Sequence, residues 1–214
     1  MLSAASALFS RLALAEGVAR RDALALSVVA LLHITALIIM VATEVDLMAK
    51  VAFLLTWALL NFVCLAPMRR PIASGLISLT FIIALILLSQ FKHEKLWMTV
   101  DFVDLMIIDR DTSAFLLAVI PGLRAQLAFA GFIVAMLLAI AWRLDPLRIR
   151  LRVSAAGGTF CLAALTALSL QFPTDLYEDF FGQNYVSKFA RTGVEAMHEL
   201  ITHGYLDSNA AITE

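Results

Sequence analysis

The stretch ALALSVVALLHITALIIMVA, residues 23–42, runs 20 residues without an Asp, Glu, Lys or Arg. At about 1.5 Å of rise per residue, a helix of that length covers about 30 Å, the thickness of bilayer hydrocarbon. Charges bound it on both sides, with Arg20, Arg21 and Asp22 before it and Glu44 and Asp46 after it. It exceeds the ~7–15 apolar residues of a signal-peptide core. It also lies inside the chain with no clear small-residue cleavage site behind it, so it reads as a retained span.

Working outward, four more stretches meet the same test, at 51–67, 72–90, 126–142 and 153–172. Pro71 opens the third, a position where its missing N–H is harmless, and Pro173 stops the fifth. The 214-residue chain is 62% hydrophobic and 15% charged, with a mean hydropathy of +0.90. An ordinary soluble domain is about 45–50% apolar, so that class is excluded. Only a helix or a closed barrel satisfies every backbone polar group in lipid. The fold expected is therefore all-α: a polytopic membrane helical bundle with five transmembrane helices.

Basic residues in short loops orient such a bundle, because Lys and Arg resist translocation. Arg11, Arg20 and Arg21 precede the first span, Arg69 and Arg70 follow the second, and Arg143, Arg148, Arg150 and Arg152 follow the fourth. With five spans these fall on one side. The expected arrangement is a cytoplasmic N-terminal segment (1–22), a five-helix module (23–172) and an extracytoplasmic tail (173–214), in a bacterial inner membrane. The arginines of the fourth loop would also attract anionic lipid, although topology alone accounts for them. A net charge of -1 provides no basic field for nucleic acid.

Two segments outside the spans carry pattern. The outer connection, 91–125, is too apolar for a solvated loop. With Trp97, Phe102, Leu105, Met106, Ile107 and Ile108 it predicts an interfacial helix, and 115–120 is too short to cross before Pro121 and Gly122. In the tail, Thr174 or Asp175 is placed to cap a helix, with Asp175, Glu178 and Asp179 in its favourable first turn. Val186, Phe189, Ala190, Val194, Met197 and Ile201 then recur at three- and four-residue intervals, and Gly204 stands at a C-cap. This is a juxtamembrane amphipathic helix. Its apolar face is expected to be covered by the bilayer surface or by a further domain.

Candidate chemistry is sparse. No Asp, Glu, Lys or Arg lies mid-span, which disfavours a pump, permease or channel. His33 could relay protons or meet a lipid phosphate, but a neutral imidazole bonded to a neighbouring helix is the simpler role, and Asn61 poses the same choice. Cys64 and Cys161 read as free packing residues. His198 and His203 are five apart, off the i, i+4 spacing of a helical metal site, and no phosphate loop, dinucleotide fingerprint, nucleophile elbow or zinc-type Cys pair is present. Gly157 and Gly158 suit close helix packing. Lys92, Lys95, Arg110 and Arg124 sit on the outer side, where topology does not require them. They are the candidate lipid-headgroup ligands, with pairing to the neighbouring Asp and Glu residues as the alternative.

Five spans, an outer loop reading KHEKLWMTVDFVDL (92–105) and a tail reading YEDFFGQNYVSKFA (177–190) resemble the membrane half of bacterial sulfatase-fold phosphotransferases. That family includes lipoteichoic acid synthases and phosphoglycerol or phosphoethanolamine transferases. The resemblance implies a transmembrane anchor that presents a lipid to an extracytoplasmic α/β catalytic domain. The nucleophilic threonine and the divalent-metal ligands would belong to that domain, so no catalytic residue, metal site or cofactor is assigned within this chain. The competing expectation is a free-standing membrane scaffold or assembly protein that docks a partner through its tail helix.

Overall fold

A computed structural model describes residues 2–172 and 184–204, with the side chains of 2–19, Leu96, Arg110, Thr112 and Ser113 outside the description. The chain is an all-α bundle with five helices long and apolar enough to span a membrane. These are α1 (Leu2–Thr43), α2 (Leu47–Met68), α3 (Pro71–Leu96), α6 (Leu123–Leu144) and α7 (Leu151–Gln171). Two short helices, α4 (Phe102–Ile107) and α5 (Arg110–Val119), connect α3 to α6, and α8 (Tyr185–His203) follows α7.

Local chemistry sets the helix ends. Asp46 caps α2, its Oδ1 accepting the Ala49 N–H at 2.7 Å. Arg69 and Trp97 adopt the left-handed conformation (φ 57° and 59°) and close α2 and α3, each N–H returning to a carbonyl four residues back. Gly122 makes the turn into α6 with φ 77°, a conformation that favours glycine.

The most extensive interface joins α2 and α7. Ala49, Ala52, Phe53, Thr56 and Trp57 are buried on α2, and Ser154, Cys161, Leu165 and Ser169 on α7, a face of mainly small residues that lets the backbones approach. Gly157 sets that approach, since a Cβ there would stand 2.5 Å from the Phe62 ring. α1 and α6 each lean on α3. Large apolar side chains such as Leu24, Phe132 and Phe160 remain at least two-thirds exposed, as expected of a surface solvated by lipid. Cys64 and Cys161 are free thiols.

At the end of the bundle carrying the arginines, Asp145 is buried and stitches two loops. Its Oδ2 accepts the Ile72 N–H at 2.7 Å, satisfying a donor at the start of α3, and its Oδ1 accepts the Leu147 N–H at 3.1 Å within the loop after α6. The Ile149 N–H bonds the Arg69 carbonyl, and the Arg70 guanidinium lies 4.3 Å from the Trp142 ring centroid.

Four regions differ from the sequence reading. The segment before the first span is helical and continuous with it. α3 runs six residues past the apolar stretch ending at Gln90, because 91–96 contains no Gly or Pro to stop it. The single interfacial helix expected in 91–125 is two helices, and α5, at about 15 Å for its ten residues, absorbs 115–119. The fourth difference concerns the tail. α8 begins at Tyr185 and closes at Gly204 (φ 76°), as its periodicity predicts. Its apolar face is covered by this chain in the first half of the helix, where Tyr185, Val186 and Phe189 are buried, while Met197, Leu200 and Ile201 in the second half stay exposed. Helical periodicity reveals a sticky face but not its partner, and α2, α3, α4 and α7 supply one. The expected capping by Thr174 or Asp175 lies outside the described residues.

Candidate functional site

The end of the bundle opposite the arginines is assembled around α8. The loop between α1 and α2 and the start of α4 hold it by polar contacts, and the end of α3 in turn holds α4. Glu44, 2% exposed, turns its carboxylate to the start of α8, where Oε1 accepts the Val186 N–H at 3.1 Å and Oε2 accepts the Ser187 hydroxyl. A carboxylate there satisfies an orphan N–H and sits at the positive end of the helix dipole. Burial nonetheless dominates and raises its pKa from 4.5 to about 7. The bonds to Ser187 and Val186 oppose the shift, while the nearby Asp46 charge adds to it.

Asn184 completes this joint. Its Oδ1 accepts the Val45 N–H at 2.8 Å and its Nδ2 donates to Asp46 Oδ2 at 3.1 Å. On the far side, Lys188 is buried with its ammonium 3.2 Å from Asp101. The Asp101 N–H donates to Asp104 Oδ2, which also receives Lys92 at 2.6 Å. Two cations and two carboxylates therefore clamp α4 between α3 and α8. The Phe102 N–H bonds Thr192 Oγ1 at 3.2 Å, and the Phe102 ring packs on the Cα of Gly193 and on Phe189.

Below this clamp an apolar groove of about 500 Å³ opens between α2, α3 and α7, with α8 along one edge. Leu60, Phe81, Leu162, Leu165, Val194 and Ile201 form its walls. Thr56, also in the wall, spends its hydroxyl on the Ala52 carbonyl at 2.7 Å, so it presents little polarity to an occupant. His198 is the one ionisable lining residue, and it is exposed at the α8 edge.

The four cations proposed as headgroup ligands are placed differently from one another. Lys92 is spent on Asp104, the pairing alternative. Lys95 is exposed in the last turn of α3, Arg124 is exposed in the first turn of α6, and the Arg110 side chain lies outside the description. His33 donates from Nδ1 to the Val29 carbonyl in its own helix at 2.9 Å and meets the Trp57 ring edge-on at 5.6 Å. Asn61 donates to the Trp57 carbonyl, and its own backbone carbonyl accepts Ser74 Oγ from α3 at 2.6 Å. Asn61 is half-buried at the contact between α2 and α3, whereas His33 is exposed on α1. Among the described residues no cluster of three or more His, Cys, Asp or Glu could hold a metal ion.

No protein-family model, curated protein or solved structure matches the chain. What the site can do therefore rests on its own geometry. Ser187 is buried against Glu44 and has no open approach for a substrate, so this pair locks a helix rather than activating a nucleophile. Sequence reasoning passed over Glu44, Asn184 and Lys188. Helical periodicity places Lys188 opposite the apolar stripe of Val186, Phe189, Ala190 and Met197, so nothing in the local sequence marked it for burial.

Proposed function

We propose that this chain is the transmembrane anchor and lipid-presenting module of a sulfatase-like phosphoglycerol or phosphoethanolamine transferase, with the catalytic residues on a separate α/β unit. The observation that supports the reading best is the groove beneath α8. It runs from mid-helix positions such as Leu60 and Leu162 to the helix at the bundle's end, a path along which an acyl chain leads its headgroup out of the membrane. Its lining is apolar with few polar groups, the composition of a site for a lipid tail. The clamp of Lys92, Asp104, Asp101 and Lys188 then serves to fix α8 and α4 as a rigid rim over which that headgroup is presented.

The test is photocrosslinking of the full chain in nanodiscs that contain a phospholipid with a photoactivatable acyl chain. Label is expected on α7 at 162–166 and on α8 at 194–201, and Leu162→Trp, which fills the groove, should remove most of it. Labelling spread evenly over the exposed faces of α1 and α6, insensitive to Leu162→Trp, would overturn the reading. The scaffold alternative draws on one observation: Met197, Leu200 and Ile201 remain 40–77% exposed at the far end of α8. Loss of a bound partner protein on Leu200→Asp, a residue outside the groove wall, with lipid labelling intact, would favour it.

A further inference from the structure

A second cleft lies at the other end of the bundle, remote from the groove under α8. α1 and α6 both pack on α3, and between them they leave a space of about 640 Å³, within the ~300–1,000 Å³ of small-molecule sites. Eight residues line it, and six are apolar, among them Leu24 and Val28 from α1, Ile72 from α3 and Leu144 at the end of α6. The other two are Arg21 and Arg143, one on each flanking helix. Apolar walls that carry a pair of guanidiniums at the level where a span meets water match an amphiphile with an anionic head.

Among the described side chains, the charge balance around the cleft is unmet. The described side chains at this end include Arg20, Arg21, Arg69, Arg70, Arg143, Arg148, Arg150 and Arg152, against two acids, Asp22 and Asp145. Asp145, two residues from Arg143, has both oxygens engaged by the backbone N–H groups of Ile72 and Leu147 and forms no ion pair with an arginine among the described residues. Arg21 and Arg143 are both exposed. A phosphodiester offers a guanidinium bidentate, charge-assisted hydrogen bonds. Free phosphate would use only the two arginines and leave the apolar walls uncovered, whereas a lipid uses both.

We propose that this cleft binds one anionic phospholipid, with its phosphate on Arg21 and Arg143 and its acyl chains laid along Leu24, Val28 and Leu144. The bound lipid would fill the gap between α1 and α6, which touch α3 on separate sides, and so act as part of the bundle's packing. This goes beyond the lipid-presenting reading and does not depend on it, since the two sites share no residue.

The experiment is native mass spectrometry of the full chain in detergent, titrated separately with phosphatidylglycerol, phosphatidylcholine and inorganic phosphate. One phosphatidylglycerol is expected to bind about 30-fold more tightly than phosphatidylcholine, the factor given by two charges at about 1 kcal/mol each. Inorganic phosphate is expected to give no retained adduct. The double variant R21Q/R143Q should bring phosphatidylglycerol down to the phosphatidylcholine level. R148Q/R150Q, which removes two arginines that do not line the cleft, should retain most of the preference. Val28→Trp, which fills the cleft with both arginines intact, should abolish the 1:1 adduct. Three results would each overturn the proposal: equal binding of the two lipids, equal losses in R21Q/R143Q and R148Q/R150Q, and full binding in Val28→Trp.

Discussion

The joint between Glu44 and α8 makes a pH-dependent prediction with a definite sign. In the docked structure the carboxyl titrates at about 7, and burial is the main cause. When α8 lifts off, water reaches the group and its pKa returns to about 4.5. Between these two values the docked state holds the extra proton, so docking weakens as pH rises through that window and changes little above it. At about 1.4 kcal/mol per decade of proton activity, the full step amounts to about 3 kcal/mol. Hydrogen exchange of the amides at 188–190, corrected for intrinsic rates, reads that equilibrium directly. Protection in the native chain is expected to fall by about two orders of magnitude from pH 4.5 to 7. Glu44→Gln keeps an acceptor for Val186 and gains a donor toward Ser187 without a charge, so its protection should be flat over this range and exceed the native value at pH 7.5. Glu44→Ala should also be flat but low, because the Val186 N–H and Ser187 hydroxyl lose their partner at about 1–3 kcal/mol each. A native protection factor that rises from pH 4.5 to 7, or an identical step in Glu44→Gln, would refute the reasoning.

Three further outcomes concern packing and caps. Asp145→Ala should lower stability in detergent by about 1–3 kcal/mol, since two backbone N–H groups lose their acceptor, and Asp145→Asn should recover part of that loss in thermal melts. Gly157→Ala should cost about 1–3 kcal/mol by driving a methyl into the Phe62 ring, and Phe62→Leu in the same chain should relieve it; additive losses in the double variant would sink this account. Asp101→Ala deprives the buried Lys188 of its 3.2 Å carboxylate, so its melting temperature should fall further than that of Asp101→Leu/Lys188→Met, in which neither charge is buried.

Much of the fold was legible because lipid imposes a one-dimensional rule. A 20-residue run without charge has few places to go except across the bilayer, so the five spans could be read from hydropathy alone. Observed helices at Leu47–Met68 and Leu151–Gln171 differ from the expected spans by four residues or fewer at any end. The extension of α3 to Leu96 was missed because residues that end a hydrophobic run need not end a helix: Lys92, Glu94 and Lys95 are good helix formers.

The site was far less legible. Lys92 could be singled out as a cation on an unexpected side, yet whether it met a phosphate or a carboxylate depended on where Asp104 lay, 12 residues further on, after an unseen turn at Trp97. Glu44 and Ser187 are separated by 143 positions, and nothing in their local sequence announces that they touch.

The order of residues by itself therefore determined the class of solvent, the number of crossings and the amphipathic character of α8, because each follows from short-range periodicity and transfer free energy. Only the tertiary structure decided what α8 rests on, which charges are spent on one another, and where the two clefts open. Those depend on long-range contacts, in which a residue's partner is set by how whole helices pack rather than by its neighbours in the chain.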